Sequence, residues 1–186
     1  MKINSLYLAH PFDTRHWMRV WEKGFEKRTG VVLNNPFYDA PDREDVERID
    51  AGRAERYEQL IASDLVLRDV KFILSNGGIV ALIDGSISYG TIMEIVYAHI
   101  HNLPVYTVVT NGHENHPWLV YHSAMVFTSL GDFESFVLRT NSCSACGGKG
   151  VVEEGQHDED CPSCHNSKPK DEHSVLRDWM GNCGCP

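Results

Sequence analysis

DGSISYGTIMEI, residues 84–95, is the stretch whose reading decides the fold. Upstream of it, Gly78 to Ile83 (GIVALI) is a short apolar run rich in β-branched residues, the pattern of a buried strand. Downstream, Thr91 to Leu103 (TIMEIVYAHIHNL) sets Ile92, Ile95, Val96, His99 and Leu103 at helical spacing, and Pro104 stops the helix. The segment is therefore a strand end, a polar loop and a helix N-terminus. In an open α/β sheet, ligands sit there, outside the carboxyl end of a strand and against free backbone N–H groups and a positive helix dipole. Glu94 falls about one turn into that helix, where it can project toward whatever the loop binds.

Elements of the same two kinds extend in both directions. Ile3 to Ala9 (INSLYLA) alternates and runs into His10-Pro11-Phe12, a strand entering a loop. Arg15 to Arg28 carries Trp17, Met18, Trp21 and Phe25 on one face, an amphipathic helix that Gly30 ends. Val31 to Leu33 predicts a second strand, and Asn34 to Asp42 is loop chemistry rich in Asn, Pro and Asp. The charged stretch from Arg43 to Gly52 suits either a mobile segment or a substrate-facing lid. Arg53 to Asp69 predicts a helix that meets a strand at Val70 to Leu74. Val105 to Val109 is a further strand. After a polar loop come PWLVY (117–121), an apolar pair at Val126 and Phe127, and a last helix over Asp132 to Thr140. Strand and helix signals alternate, which predicts an α/β fold, Rossmann-like or flavodoxin-like, with a parallel sheet covered by helices on both faces.

The totals bound the function. The chain has 186 residues, enough for one ordinary domain and an appendage, and its 42% hydrophobic content supports a packed core. No apolar run approaches the roughly 20 residues that span a bilayer, so no membrane partner is expected. The N-terminus MKINSLYLAHPF lacks the pattern of a signal peptide, and the expected location is cytoplasmic. A net charge of −9 argues against binding a nucleic-acid backbone. It does not argue against a small phosphorylated ligand, which a helix terminus can hold.

At Asn141 the composition changes, which divides the chain into a domain over residues 1–140 and a tail over 141–186. The tail has 8 acidic and 4 basic residues, little aliphatic content and all six cysteines. Cys143-x-x-Cys146, then 14 residues, then Cys161-x-x-Cys164 gives two knuckles, with Gly147, Gly148 and Gly150 permitting tight turns at the first. Four thiolates suit tetrahedral zinc, and a module so poor in apolar residues needs a metal to fold. The expected cofactor is therefore a structural zinc on Cys143, Cys146, Cys161 and Cys164. With its ligand set closed, no chemistry is assigned to it. His157 and His165 are read as bystanders, and Cys183 and Cys185 as part of a free end. CSACGGKG and CPSCHN also resemble the cysteine-rich repeats of DnaJ-type zinc modules.

Three stretches together resemble the nucleoside 2-deoxyribosyltransferase family, including its relatives that hydrolyse nucleoside monophosphates. They are Leu6-Tyr7-Leu8-Ala9-His10-Pro11-Phe12, then Asp84-Gly85 with Gly90-Thr91-x-x-Glu94-Ile95-x-Tyr97-Ala98, then His116-Pro117-Trp118-Leu119 through Ser123-Ala124-Met125. The likeness spans roughly residues 3 to 138. It implies that Glu94 is the nucleophile, attacking the anomeric carbon to give a covalent glycosyl-enzyme. It places Tyr7 near the sugar, with Gly90 and Thr91 in the ligand loop. His10 stands where the family often has glycine, as a substrate contact or a loop filler. Six residues before the nucleophile the transferases carry an aspartate, whereas this chain has Ser88, as in the monophosphate hydrolases. A hydroxyl suits a phosphate dianion that a carboxylate would repel. Ser123 resembles a phosphate contact that those hydrolases receive from a neighbouring subunit, which implies a homo-oligomer with a shared active site. At Gly77-Gly78 the family often has an aspartate that contacts the base. Asp84 is either a spare carboxylate or a loop cap, and Asp64 and Asp69 are read as solvated caps. Phe37 and Tyr38 can close over a base.

The resemblance thus implies an enzyme that cleaves the N-glycosidic bond of a (2′-deoxy)nucleoside, favouring its 5′-monophosphate, with no organic cofactor. The alternatives are a true transferase exchanging bases and a nucleotide-sensing domain with a zinc-ribbon output module.

Overall fold

The computed structural model of the protein describes residues 2–40, 62–86, 88–142, 151–154 and 157–160. The elements follow the order β1 (Ser5–Ala9), a 3-10 turn (Phe12–Thr14), α1 (Arg15–Thr29), β2 (Val32–Asn34), α2 (Ala62–Leu74), β3 (Ile79–Ile83), α3 (Tyr89–Ile100), β4 (Val105–Val109), α4 (Pro117–His122), β5 (Met125–Phe127) and α5 (Leu130–Ser142). A separate two-stranded hairpin pairs β6 (Val151–Glu154) with β7 (His157–Asp160).

The five strands form one parallel sheet in the order β2-β1-β3-β4-β5. Side chains alternate across it, so each strand feeds two cores. Leu6, Leu8, Val80, Leu82 and Val108 face Met18 and Phe25 of α1 and Phe133 and Val137 of α5. Tyr7, Ala9, Ile79, Ala81 and Val105 face Ile73 of α2, Ile95 and Ala98 of α3 and Leu119 of α4. Arg28 pairs with Glu134, its Nη2 donating to Oε2 at 2.8 Å, and ties α1 to α5 across the first face. The α/β doubly covered parallel sheet expected from the sequence is the fold of the chain. Its strand order reverses between β1 and β3, and in such sheets the crevice at that switch point receives the ligand.

Two expectations need correction. Val70 to Leu74 is not a strand: α2 continues unbroken through it to Leu74. A short run with four apolar residues around Lys71 fits either state by composition, and here Ile73 alone of it is fully buried, on the face turned to the sheet. Asp64 and Asp69 consequently lie within a helix rather than at a helix–strand junction. On α1, the inward row is Met18, Glu22 and Phe25, whereas Trp17 is exposed. Gly30, with φ of 71°, ends that helix as expected by sending its N–H to the Glu26 carbonyl. Gly78 cannot be other than small, because an added Cβ would stand 2.8 Å from Pro104.

The helix expected from Arg53 begins outside the described residues, as does the charged stretch 43–52. Cys143, Cys146, Cys161 and Cys164 also lie outside them. Among the described residues no helix is long and apolar enough to cross a membrane.

Candidate active site

The β3–α3 connection is built as the sequence suggests. Asp84 turns the chain at the strand end by accepting the Ser86 N–H at 2.9 Å, and Gly85 takes φ of 97°, which favours glycine. Ser88 is the N-cap of α3: its Oγ accepts the Thr91 N–H at 3.3 Å and lies 2.8 Å from Thr91 Oγ1. Around Gly90 the space where a Cβ would project is open. Ser88, Gly90 and Thr91 thus come together at one helix N-terminus.

Glu94 sits in the second turn of α3, on the side that faces β1. There the Tyr7 hydroxyl, buried in the sheet, donates to Glu94 Oε1 at 2.6 Å. This pair bridges β1 and the helix that follows β3, at the switch point. Burial pushes the Glu94 carboxyl up to about 7. The Tyr7 hydrogen bond and the nearby Arg68 pull it down, and the charge of Asp69 pushes it up. The Tyr7 phenol is driven well above its ordinary value by burial and then by Glu94. Tyr7 therefore stays a donor, and Glu94 stands near half ionised at neutral pH.

Asp69 was missed by the sequence reading, which placed it in solvent. It pairs with Arg68, whose Nε donates to Oδ1 at 3.0 Å, and its charge reaches both Tyr7 and Glu94. The available signal was helical phase: four residues separate Asp69 from the buried Ile73 on one helix face.

His10 is buried directly beyond β1. Its Nδ1 lies 3.0 Å from the Pro11 carbonyl and 3.1 Å from Thr14 Oγ1, and its Nε2 lies 3.1 Å from Asn35 Nδ2. Burial lowers it to about 4, with Asp84 close enough for its charge to oppose that. Both ring nitrogens are thus engaged by the protein itself. Phe37 packs edge-on against His10 and Phe12, with centroids at 5.0 and 5.4 Å. Tyr38 contacts His16 through a 3.0 Å hydroxyl–Nδ1 hydrogen bond.

Ser123 precedes β5, at the amino end of that strand, and its Oγ lies 2.6 Å from Thr107 Oγ1, in the middle of β4. The loop after β3 lies at the carboxyl edge.

No family model matches this sequence, and no curated protein matches it. Solved structures do match the fold. One is a conserved protein from Enterococcus faecalis V583, with TM-score 0.55 and 16% identity over 72% of this chain and 96% of that one. Another is a 2-deoxyribosyltransferase from Bacillus psychrosaccharolyticus, with TM-score 0.52 and 16% identity over 70% of this chain and 90% of that one. The chain therefore shares its fold with a 2-deoxyribosyltransferase.

Proposed function

We propose that the protein cleaves the N-glycosidic bond of a (2′-deoxy)nucleoside, with the 5′-monophosphate preferred, through a covalent glycosyl ester on Glu94. The observation that carries this reading is the 2.6 Å Tyr7–Glu94 hydrogen bond at the β1/β3 switch point, beside an open helix N-terminus. The ionised carboxylate attacks the anomeric carbon as the carbon–nitrogen bond breaks, and the leaving base takes a proton from solvent. Water then attacks the same carbon, its oxygen bonding there as the glycosyl ester bond breaks and its proton returning to solvent, which regenerates the Glu94 carboxylate. Tyr7 orients the attacking oxygen's carboxylate and favours its ionised form, and a negative charge there stabilises an oxocarbenium-like transition state. The Ser88 hydroxyl and the first amides of α3 receive the 5′-phosphate.

The phosphate cup is completed by Ser123 of a second copy. Two observations support a shared site. Within one chain Ser123 lies at the amino end of β5, whereas the loop follows the carboxyl end of β3. In addition, α3 presents Tyr89 (81% exposed), Ile92, Met93 (68%) and Ile100 on one stripe beside Trp118 (68%) of α4, more exposed apolar surface than a monomer keeps without cause.

The tail is assigned a structural zinc. The sequence supports it: the paired residues Val151 and Asp160 lie between the two Cys-x-x-Cys pairs along the chain. Four thiolates in two such pairs suit a closed tetrahedral site. Metal analysis of the purified protein is expected to give about one zinc per chain. A metal-free protein with every thiol titratable would remove the assignment.

Incubation with a panel of nucleosides and their 5′-monophosphates, with and without an acceptor base, tests the activity. Free base is expected from the monophosphates without an acceptor. Exchange that requires an acceptor would make the protein a transferase, and no release from any member would end the reading.

A further inference from the structure

One buried polar chain takes no part in the chemistry at Glu94. Glu22 stands in the inward row of α1 between Met18 and Phe25, its side chain 0% exposed. Arg19 and Lys23 hold the carboxylate from outside, and Asn35 Nδ2 donates to its Oε2 at 2.9 Å. Asn35 is itself fully buried. Its Oδ1 accepts the Phe37 N–H at 3.0 Å, which fixes the amide orientation. Its two N–H groups then point at Glu22 and at His10 Nε2. His10 Nε2 must accept, so the imidazole is neutral with its proton on Nδ1, directed at Pro11 and Thr14. Each donor and acceptor along Glu22–Asn35–His10 has one assignment.

An aliphatic residue at position 22 would complete the apolar row without burying a charge, and such replacements are often neutral or stabilising. The chain is therefore better explained by what it fixes. His10 and Asn35 are the first residues beyond β1 and β2, at the carboxyl edge of the sheet, and Asp84 is the first beyond β3. Beside His10 the partly exposed ring of Phe37 is held edge-on by His10 and Phe12.

We propose that Glu22, Asn35 and His10 are positioning residues for the substrate's nucleobase, holding Phe37 as an aromatic wall beside the switch-point crevice without touching the reacting atoms. This rests on the glycosidic-bond reading in taking a nucleobase as the ligand. Calorimetry in a Glu94→Gln background tests it, comparing a 2′-deoxynucleoside 5′-monophosphate with deoxyribose 5-phosphate, which lacks the base. Asn35→Ala is expected to weaken nucleotide binding roughly tenfold to a hundredfold, the size of one lost base–aromatic contact, and to leave deoxyribose 5-phosphate within about twofold. Glu22→Leu, which completes the apolar row, is expected to do the same if Asn35→Ala does not fold. Imidazole 15N NMR of the wild-type protein is expected to show His10 as the single Nδ1–H tautomer. Equal effects on both ligands, no effect on either, or a mixture of His10 tautomers would overturn the proposal. Failure of the wild-type protein to release base would instead end the glycosidic reading, with the binding comparison still decisive for the positioning chain.

Discussion

Glu94 is placed where ionising it is costly. Its carboxyl rises from 4.5 to about 7 in the folded protein, so the folded state holds a proton that the unfolded chain has released over that interval. Relative to a neutral side chain, Glu94 costs nothing below about pH 4.5 and costs progressively more up to about pH 7. Glu94→Gln should therefore unfold like the wild type at pH 4 and be more stable above pH 7, by about 1–3 kcal/mol after allowance for solvent access. Thermal unfolding of both proteins from pH 4 to 8 measures the gap, and a gap that does not change with pH would contradict it. In the proposed function the same shift governs activity, because there only the carboxylate attacks. Wild-type kcat/KM is expected to rise about tenfold per pH unit below a limb near 7, and Tyr7→Phe should move that limb upward by removing a hydrogen bond that favours the charge. Glu94 was legible in the sequence through its place in Gly90-Thr91-x-x-Glu94. Glu22, Asn35 and Asp69 were not, since their roles depend on partners from other elements.

At the scale of the element, the N-terminus of α3 gives Ser88 two duties. It caps the helix through the Thr91 N–H and, in the proposed function, donates to a phosphate. Two substitutions separate them. Ser88→Ala loses both, so it should cost about 1 kcal/mol of stability and also lower monophosphate turnover. Ser88→Asp keeps an N-cap acceptor and adds a charge that complements the helix dipole, so stability should hold or rise. Yet the same carboxylate would repel a dianion, and monophosphate turnover should fall further than in Ser88→Ala while nucleosides are spared. Chemical denaturation alongside kinetics on both substrate types checks this. Equal losses on nucleosides and monophosphates would leave Ser88 as a cap alone. Element boundaries were mostly legible because Gly30 and Pro104 end helices by their own backbone preferences, while the left-handed Asn102 that closes α3 was not foreseen. The exception, Val70 to Leu74, carried no such mark, and only the sheet packing of Ile73 decided its state.

For the whole molecule, strand and helix alternation was enough to predict a parallel sheet covered on both faces. It could not give the strand order, which depends on how crossovers stack rather than on any local pattern. Nor could it show which apolar residues stay outside. Of the residues set at helical spacing, Ile95 is buried with Thr91 and Ala98, whereas Ile92 is exposed in a stripe with Tyr89, Met93 and Ile100. An exposed stripe on the helix that carries Glu94 fits the proposed second copy lending Ser123. If so, mixing Glu94→Gln with Ser123→Ala should restore part of the activity that each lacks alone, since one of the two sites in a mixed dimer is intact. Activity of the mixture equal to the sum of the separate variants would place the whole site within one chain. In the proposed function Glu94 forms a covalent bond to the sugar. Its most direct measurement is the mass of the protein quenched in acid while it turns over a 2′-deoxynucleoside 5′-monophosphate, with base release followed in parallel. The predicted result is one deoxyribosyl phosphate on the peptide that holds Glu94, with adduct and base release both lost in Glu94→Gln. Base release by Glu94→Gln at a near wild-type rate would contradict it.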